Sequence, residues 1–326
     1  MRKTIYITMF VVLGIMMAII SNILTSPLNI NQKIIDINEG QSARSIAKVL
    51  YKEGVIRSES AFYILVRLTN NDKKLKQGAY LFNGKMNMLS AMQKIISGEI
   101  LVQRVTIPEG LSLYKTIRIL SDKGIGNYDR FLEVARDNQF IKSVSGFEIE
   151  TLEGFLYPDT YAFNKNNSEE IILEKMVQNL FNRLRKNQIN FDDKKEFYRI
   201  LKLASIVEKE AVFPEEKPLI ASVYQNRLNN NMLLQADPTS TYHLEADGVH
   251  KSKLYYKDVR KNTPHNTYTN PGLPPTPICS PSISAIQASI RPANTNYLFF
   301  FATPEKRHIF TTSYAEHLKK QKQMKS

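Results

Sequence analysis

An uncharged apolar segment near the N-terminus constrains this chain more than any other feature of its sequence. Residues 5–24 carry no charged side chain, and Arg2 and Lys3 stand just before them. A helix of about 20 residues is about 30 Å long, which matches the hydrocarbon core of a bilayer. Positive residues before such a segment favour a cytoplasmic N-terminus. The sequence therefore predicts a cytoplasmic tail at 1–4 and a transmembrane helix at 5–24, with a cleaved signal peptide as the alternative.

This topology predicts a single-pass membrane protein with the bulk of the chain outside the cytoplasm. The one cysteine, Cys279, excludes an internal disulfide, and its flanking prolines indicate a packed thiol rather than a nucleophile. Lys and Arg outnumber Asp and Glu by 44 to 31, a net charge of +13, which favours anionic surroundings. No helix-turn-helix, zinc-finger or RNA-binding pattern accompanies the charge, so we expect no nucleic-acid partner.

A pattern that indicates a strand, a glycine turn and a capped helix occurs twice, 70 residues apart. The first copy is KIIDINEGQSARSIAKVLYKEGVI and the second is QRVTIPEGLSLYKTIRILSDKGIG. Serine before a helix and glycine after it are typical capping residues. The corresponding positions are Ile37, Glu39, Gly40, Ser42, Leu50 and Gly54 in the first copy and Ile107, Glu109, Gly110, Ser112, Leu120 and Gly124 in the second. We expect the same local structure in both copies.

The composition changes along the chain and suggests a domain organisation. Residues 25–32 indicate a short polar linker, 33–100 a small module and 101–326 a larger domain. Within the larger domain, Ser168 begins an amphipathic helical pattern as its N-cap, and a proline-rich loop, NTPHNTYTNPGLPPTPICSPS, follows later. A long loop of this kind inside a domain is more often functional than idle. Together the patterns predict an α+β protein with an N-terminal transmembrane helix.

The sequence lacks several short motifs that are typical of known kinds of functional site. It has no phosphate-binding glycine loop, no nucleophile elbow and no dinucleotide fingerprint. His243 and His250, with Glu245 and Asp247 between them, do not fit a standard metal-ligand spacing. We therefore expect neither a metal nor a cofactor, and the carboxylates are the candidates for catalysis.

Two glutamates, Glu208 and Glu210, lie near the end of a helix predicted over 195–212. The residues three, four and seven positions before Glu210 are Val207, Ile206 and Leu203. Because such positions share a helix face, Glu210 extends an apolar stripe, whereas Glu208 is rotated from it by about 200°. A carboxyl at the end of an apolar stripe is desolvated, which raises its pKa and suits a general acid. The alternative is a glutamate whose side chain reaches water.

Five longer motifs occur along the chain in this order: LEGFLYPDTY, LASIVEKEA, LQADPT, NTYTNPGLPP and YLFF. With the N-terminal segment, they resemble the endolytic murein transglycosylase family (MltG, YceG-like) over nearly the whole chain. The resemblance implies a single-pass protein of the inner (plasma) membrane with the bulk of the chain in the periplasm. It also implies a lytic transglycosylase that cleaves the MurNAc–GlcNAc bond of nascent glycan strands without water. The product would be a 1,6-anhydro-MurNAc end, and such cuts would limit strand elongation. The implied partners are peptidoglycan glycan strands and membrane cell-wall synthases (penicillin-binding proteins).

The resemblance also implies roles for particular residues. The second glutamate of the EKE segment, Glu210, corresponds to the catalytic glutamate. The candidate substrate-binding residues are Glu208, Asp237, Thr239, Asn266, Tyr268, Tyr157 and Asp159. Asp237 would position other groups or start a turn, and Asn266 and Tyr268 would form a wall of an open glycan-binding groove in a mixed α+β catalytic domain at 101–326. Tyr157 and Asp159 would line the groove, with folding roles as the alternative.

Residues 33–100 resemble a LysM module through the segment INEGQSARSIAKVL. This resemblance implies a small fold that binds GlcNAc-containing glycans, and the alternative is a spacer that lifts the rest of the chain off the membrane. Two further functions remain open for the whole chain. One is a hydrolysing muramidase that uses Glu210 and Asp237, because hydrolysing glycosidases usually need two carboxylates. The other is a non-catalytic scaffold that binds peptidoglycan.

Overall fold

The chain forms two compact units in its computed structural model, which describes residues 2–38, 40–249 and 259–325. Unit 1 contains residues 1–104 and 162–167, and unit 2 contains residues 105–161 and 168–326. Both combine helices with short paired strands, so the predicted α+β class is confirmed. Glu39 and His250, which the sequence analysis named, lie outside the described residues.

Helix α1 (Arg2–Thr25) contains the N-terminal apolar segment. Its part from Tyr6 to Thr25 is long and apolar enough to cross a membrane, and the side chains of residues 6–22 are exposed. Apolar surface that stays in contact with water costs about 25 cal/mol per Å². Burial of this helix in lipid would remove that cost. By length and composition it fits a membrane anchor or a signal sequence.

Unit 1 is built on strands β1 (Leu28–Ile37) and β2 (Gly78–Met86), which pair antiparallel. Helices α2 (Ala43–Lys52) and α3 (Glu59–Leu68) lie between these strands in the chain, and α4 (Met88–Ser97) follows β2. The sheet and helices enclose an apolar cluster that includes Ile35, Leu50, Phe62, Val66, Phe82 and Ile95. Ile23 and Leu24, from the last turns of α1, pack against the same cluster.

Residues 28–32 form the beginning of β1, although their composition had indicated a linker. Leu28 pairs with Met86, and Ile30 pairs with Gly84. The polar residues that suggested a linker belong to the exposed side of a strand, where side chains alternate between the two faces. Only two residues therefore separate α1 from β1.

The repeated sequence pattern has the same local structure in both copies, as predicted. Strand β1 leads through a glycine turn to α2, and strand β3 (Val102–Thr106) leads through a glycine turn to α5 (Leu113–Asp122). Ser42 and Ser112 are the N-caps of the two helices, since each side chain accepts a hydrogen bond from the backbone three residues later. The glycines before and after the helices, Gly40, Gly54, Gly110 and Gly124, all have positive φ angles.

Unit 2 is mainly helical. Besides α5 it contains α6 (Tyr128–Val134), α7 (Asn138–Ser145), α8 (Glu169–Lys186), α9 (Lys194–Glu210), α10 (Lys217–Asn229), α11 (Asp237–Ala246), α12 (Ile283–Ile290) and α13 (Tyr314–Lys325). Ser168 caps α8 as predicted. Helix α9 is central, because it packs against α10, α11 and α12.

Two short sheets complete the secondary structure. Strand β4 (Thr160–Asn164) pairs with β3, and the boundary between the units falls within both strands. Strands β5 (Phe299–Ala302) and β6 (His308–Thr311) form an antiparallel pair in unit 2. A cluster of aromatic rings, Phe147, Phe155 and Phe197, packs along α9 with centroid distances of 5.3–6.2 Å. These contacts hold the helix that carries both candidate glutamates.

Candidate active site

Helix α9 carries Glu208 and Glu210, and its sequence explains where it begins and ends. Asp193 caps the first turn by accepting a backbone hydrogen bond. Phe197, Leu201 and Ala204 recur at spacings of four and three residues and are buried, which fixes this face on the core of unit 2. The helix ends at Glu210, two residues earlier than predicted, because the backbone of the next residue is extended.

Glu210 lies at the end of the apolar stripe that helix geometry predicted. Leu203, Ile206 and Val207, which form the stripe, are fully buried. The hydroxyl of Tyr224, on α10, donates a 2.9 Å hydrogen bond to Oε1 of Glu210. The carboxyl therefore has a fixed polar partner beside an apolar core.

The pKa of Glu210 is raised to about 7. Burial is the main cause, since it disfavours the charged carboxylate, while the hydrogen bond from Tyr224 lowers the pKa and the negative charge of Asp237 raises it. A carboxyl with this pKa is partly protonated at neutral pH. It can donate a proton and take one back in the same reaction cycle, as a general acid and base must do.

Asp237 and Tyr268 form a second polar pair near Glu210. Asp237 is the exposed first residue of α11, and its Oδ1 accepts a 2.5 Å hydrogen bond from the hydroxyl of Tyr268. Burial raises the pKa of the Tyr268 hydroxyl, and its hydrogen bond to Asp237 and the charges of Asp237 and Glu210 raise it further. The phenol therefore stays a hydrogen-bond donor. The C-terminal end of α9, the N-terminal end of α11 and the proline-rich loop thus bring Glu210, Asp237 and Tyr268 together. The three groups are close enough to shift one another's pKa values.

Glu208 has a different set of partners from Glu210, as its rotation around the helix predicted. The ammonium of Lys217 lies 3.0 Å from its Oε2, and the backbone N–H and hydroxyl of Ser282 donate to the same oxygen. The side chains of Glu208 and Lys217 are only 7% and 5% exposed. Glu208 is therefore an internal ion-pair partner in this structure.

Thr239 and Asn266 are fully buried and bonded to protein atoms. The hydroxyl of Thr239 donates to the carbonyl of Ala236 and lies 2.8 Å from the hydroxyl of Thr267. The amide of Asn266 donates to two backbone carbonyls of its loop, and its oxygen accepts from the backbone N–H of Tyr268. Both side chains hold the proline-rich loop, and Asn266 thereby places Tyr268.

Tyr157 and Asp159 lie together around Arg183 of α8. The guanidinium lies 5.8 Å from the Tyr157 ring centroid, and it donates a hydrogen bond of 2.5 Å to Asp159. Burial would raise the pKa of Asp159, but hydrogen bonds from Asn179 and Arg183 outweigh it and hold the pKa below its ordinary value. Burial raises the pKa of the Tyr157 hydroxyl, Arg183 lowers it, and the negative charges of Glu109, Asp159 and Glu208 raise it further.

The remaining sequence candidates have local roles. The thiol of Cys279 is buried and lies 3.2 Å from the carbonyl of Ser205, which confirms a packed thiol. His243 makes a 3.0 Å contact with the carbonyl of Ser240 in its own helix. Within the described residues, no group of three or more His, Cys, Asp or Glu side chains is arranged to hold a metal.

The sequence model of the YceG-like family matches residues 35–323 of this chain, which is most of its length. The chain belongs to the YceG-like family.

Named relatives agree with this assignment. The endolytic murein transglycosylase of Bacillus subtilis (strain 168) is 32% identical over 302 residues, which cover 87% of this chain and 82% of that protein. The protein of the same name from Streptococcus pneumoniae serotype 2 is 26% identical over 322 residues, covering 89% of this chain but 58% of its own length. A crystal structure of a putative yceG-like protein from Listeria monocytogenes, 32% identical, is similar with a TM-score of 0.59 over 89% of this chain and 99% of that one.

Sequence reasoning missed two residues of the candidate site that lie on α10. Tyr224 bonds Glu210, and Lys217 bonds Glu208. The two are seven residues apart, which is nearly two full helical turns, so they share one face of α10. That spacing was visible in the sequence, but nothing in it showed that this face meets the end of α9.

Arg227, one turn after Tyr224, is a further residue that the sequence analysis did not name. Its guanidinium donates to the backbone carbonyls of Leu298 and Leu234 at 2.7 and 2.8 Å, and it lies 5.2 Å from the ring centroid of Phe299. Burial lowers its pKa, although the neighbouring Tyr224 and Tyr268 raise it. It ties α10 to the segment that leads into Asp237 and to β5.

Proposed function

We propose that this YceG-like protein is a membrane-anchored endolytic lytic transglycosylase that cleaves the MurNAc–GlcNAc bond of nascent peptidoglycan. The names of its relatives support this activity. The observation that carries the assignment of a catalytic residue is Glu210, a half-buried carboxyl whose pKa is raised to about 7 and which is therefore partly protonated at neutral pH. In this proposal Glu210 is the general acid, and cleavage leaves 1,6-anhydro-MurNAc ends that limit strand elongation.

The reaction needs only one titrating carboxyl. Protonated Glu210 gives its proton to the glycosidic oxygen, and the bond from that oxygen to C1 of MurNAc breaks. The C6 hydroxyl of the same sugar attacks C1, and the Glu210 carboxylate takes the proton of that hydroxyl. Because the nucleophile belongs to the reacting ring, its effective concentration is high, and no water enters the product. The enzyme ends each cycle with Glu210 protonated again.

Asp237 and Tyr268 support this chemistry as neighbours of Glu210. The charge of Asp237 raises the pKa of Glu210 and so keeps the acid protonated before the bond breaks. The hydrogen bond from Tyr268 holds the Asp237 carboxylate in place. We propose that these two side chains form one wall of an open groove for the glycan, and that Asp237 positions groups rather than attacking the sugar.

The segments outside the site give the enzyme its location. We propose that α1 stays attached as a single-pass anchor with residues 1–4 in the cytoplasm and the remainder in the periplasm. A reporter that is active only outside the cytoplasm, fused after Ser326, tests this orientation. Antiparallel β1 and β2 with two helices between them support a LysM-like module at 33–100 that contacts GlcNAc-containing glycan, before a catalytic domain at 101–326. Cell-wall synthases are the proposed membrane partners.

The central test is Glu210→Gln, which keeps the shape of the side chain and removes the titrating proton. We expect anhydro ends to disappear from digests of peptidoglycan sacculi, a loss of about 10²–10⁴-fold, which is typical of a missing general acid. Binding to sacculi and the unfolding temperature should stay near the wild-type values. Glu196→Gln, on the first turn of the same helix, is the matched control and should keep full activity.

Mass spectrometry of the released fragments separates the alternatives. Anhydro products lack the water that a hydrolysing muramidase adds at each cut. A scaffold would bind sacculi and release no new ends at all. Persistent anhydro products from a folded Glu210→Gln protein would show that another group is the acid.

A further inference from the structure

A buried polar cluster occupies the side of α9 opposite to Glu210. Lys217 Nζ lies 3.0 Å from Oε2 of Glu208 and 2.9 Å from the hydroxyls of both Ser282 and Ser284. Glu208 in turn accepts hydrogen bonds from the backbone and side chain of Ser282, the N-cap of α12. We call these four residues the Lys217 cluster. It joins the end of α9, the first residue of α10 and the start of α12.

A buried ion pair such as that of Glu208 and Lys217 is a weak source of stability by itself. Removing two charges from water costs several kcal/mol per ion, and well-packed apolar side chains of similar size often stabilise a fold equally well or better. A buried ion pair does, however, require one geometry, because its charges and hydrogen bonds are satisfied only there. The cluster therefore restricts the last turn of α9 more strictly than apolar packing would.

The same face of α10 reaches both acids. Lys217 and Tyr224, seven residues apart, hold Glu208 and Glu210 respectively. Glu208 and Glu210 lie in the terminal turn of α9, beyond which the backbone is extended and gives no further helical support. A shift of Glu208 on one side of this turn must therefore move Glu210 on the other.

We propose that Lys217 is a positioning residue for Glu210: by clamping Glu208 against Ser282 and Ser284, it fixes the last turn of α9 so that the Glu210 carboxyl stays under Tyr224. This inference rests on the proposed function only for its effect on activity, since the position of Glu210 can be measured directly. The titratable groups that face Glu210 are Tyr224 from α10, Asp237 from α11 and Tyr268 from the proline-rich loop, and the positive charge of Arg227 acts on the two tyrosines. Glu109 lies near the cluster, since the charges of Glu208 and Lys217 both act on its pKa.

The experiment compares Lys217→Met with Glu208→Gln, which break the ion pair from its two ends, in the full chain in detergent. The Glu210 carboxyl is titrated by NMR with ¹³C-labelled glutamate, and Glu210→Gln identifies its signal. If the cluster acts by position, both variants let water reach Glu210, and both lower its pKa toward the ordinary glutamate value by one unit or more. The double variant should shift it no further than the larger single change, because the pair acts as a unit.

Charge effects through space give a different result, which makes the comparison decisive. Removing the negative Glu208 would lower the pKa of Glu210, whereas removing the positive Lys217 would raise it. Shifts of opposite sign, or no shift in a folded variant, would overturn the proposal. If Lys217→Met does not fold, Ser284→Ala decides, because it loosens the cluster without changing any charge: a lowered pKa of Glu210 supports positioning, and an unmoved Glu210 signal contradicts it.

Activity provides the second measurement. We expect kcat to fall about 10- to 100-fold with little change in KM, since small displacements of a catalytic group have effects of this size. The basic limb of the pH profile should move to lower pH together with the Glu210 titration. Lys195→Met, an exposed lysine on the first turn of α9, is the control for the loss of a positive charge. If a folded Glu210→Gln protein stays active, the assignment of Glu210 as the acid fails, while the NMR shifts still test the positioning.

Discussion

The two strand–turn–helix copies are alike in backbone and differ in what surrounds them. A Cβ placed on Gly40, in the first copy, would meet no other atom within 4 Å. A Cβ placed on Gly110, in the second copy, would lie 3.6 Å from Cγ of Glu208 and 3.9 Å from Cδ of Lys209. The backbone N–H of Gly110 also donates to the carbonyl of Ser280. The same local structure is thus a free turn in unit 1 and part of the support of α9 in unit 2.

The two units also differ in what they bury. In the described part of unit 1, Asn164 is the buried polar residue, and the core consists of apolar side chains. Unit 2 buries the charged residues Glu153, Glu216, Lys217 and Arg227. Buried charge is costly unless it is paired, so it is kept where it serves a purpose. Sequence similarity between the two copies therefore predicts how each segment folds, but it does not predict which copy supports the candidate site.

The largest expected difference between the units is in the pH dependence of stability. Glu153 is fully buried in unit 2 and accepts hydrogen bonds from Tyr242 and from the backbone of Leu113. Burial raises its pKa to about 7, despite these hydrogen bonds. A raised folded-state pKa means that the folded protein holds the proton more tightly, so the stabilisation is complete below the ordinary value of 4.5 and is lost as pH rises through 7.

Glu153→Gln removes this titration and isolates its effect. Between pH 4.5 and pH 7, the wild type should lose about 3 kcal/mol of unfolding free energy relative to the variant, at 1.36 kcal/mol per pKa unit. Burial lowers the pKa of His265 to about 4, which acts in the opposite direction but cancels in the difference. Native-state hydrogen exchange measures the difference in unfolding free energy between the wild type and Glu153→Gln at each pH, separately for peptides of each unit. A pH-independent difference in unit 2, or an equal change in unit 1, would contradict the assignment.

The next effect concerns the two glycine turns themselves. Gly40→Val and Gly110→Val both force a branched residue into a left-handed conformation, with a local cost of about 1–2 kcal/mol. Only the valine at position 110 also presses on Glu208 at the end of α9. We expect Gly110→Val to lose up to about 100-fold in the release of anhydro ends, and Gly40→Val to keep most activity. Equal losses of activity in both variants would show that the turn in unit 1 matters to the reaction as much as the turn in unit 2.

The smallest effect compares the two helix caps. Ser42 is exposed, so water can replace its hydroxyl, whereas Ser112 is buried. Replacement by alanine should therefore cost about 0.5 kcal/mol at Ser42 and about 2 kcal/mol at Ser112, the two ends of the usual range. Urea unfolding followed by hydrogen exchange in α2 and α5 gives the two values. If Ser42→Ala costs as much as Ser112→Ala, burial does not set the strength of these caps.

The sequence was sufficient for features that depend on neighbours along the chain. Ser42, Ser112 and Ser168 cap the helices that their positions indicated. The apolar stripe before Glu210 is buried, because a spacing of three and four residues leaves little freedom for a helix of that composition. The same pattern placed Glu208 and Glu210 on different sides of α9.

Features that depend on contacts between distant segments could not be predicted. Lys217 meets Ser282 across 65 residues, and no local pattern records that α10 and α12 approach the end of α9 together. Thr239 and Asn266 were named for contact with substrate, and both are buried, since the type of a polar residue gives no sign of which way its side chain points. The start of β1 was missed for a related reason, because one exposed face made the segment look like a linker.

Cys279 gives this molecule a single internal reporter. Its thiol is fully buried against the carbonyl of Ser205 on α9, and burial raises its pKa, so a thiol reagent reaches it only when the two segments separate. Because the chain has one cysteine, each labelled molecule records one kind of opening event. The rate of labelling therefore measures how often the segment that carries Cys279 separates from α9. Slower labelling in the presence of glycan would show that bound substrate stabilises the contact between the two segments.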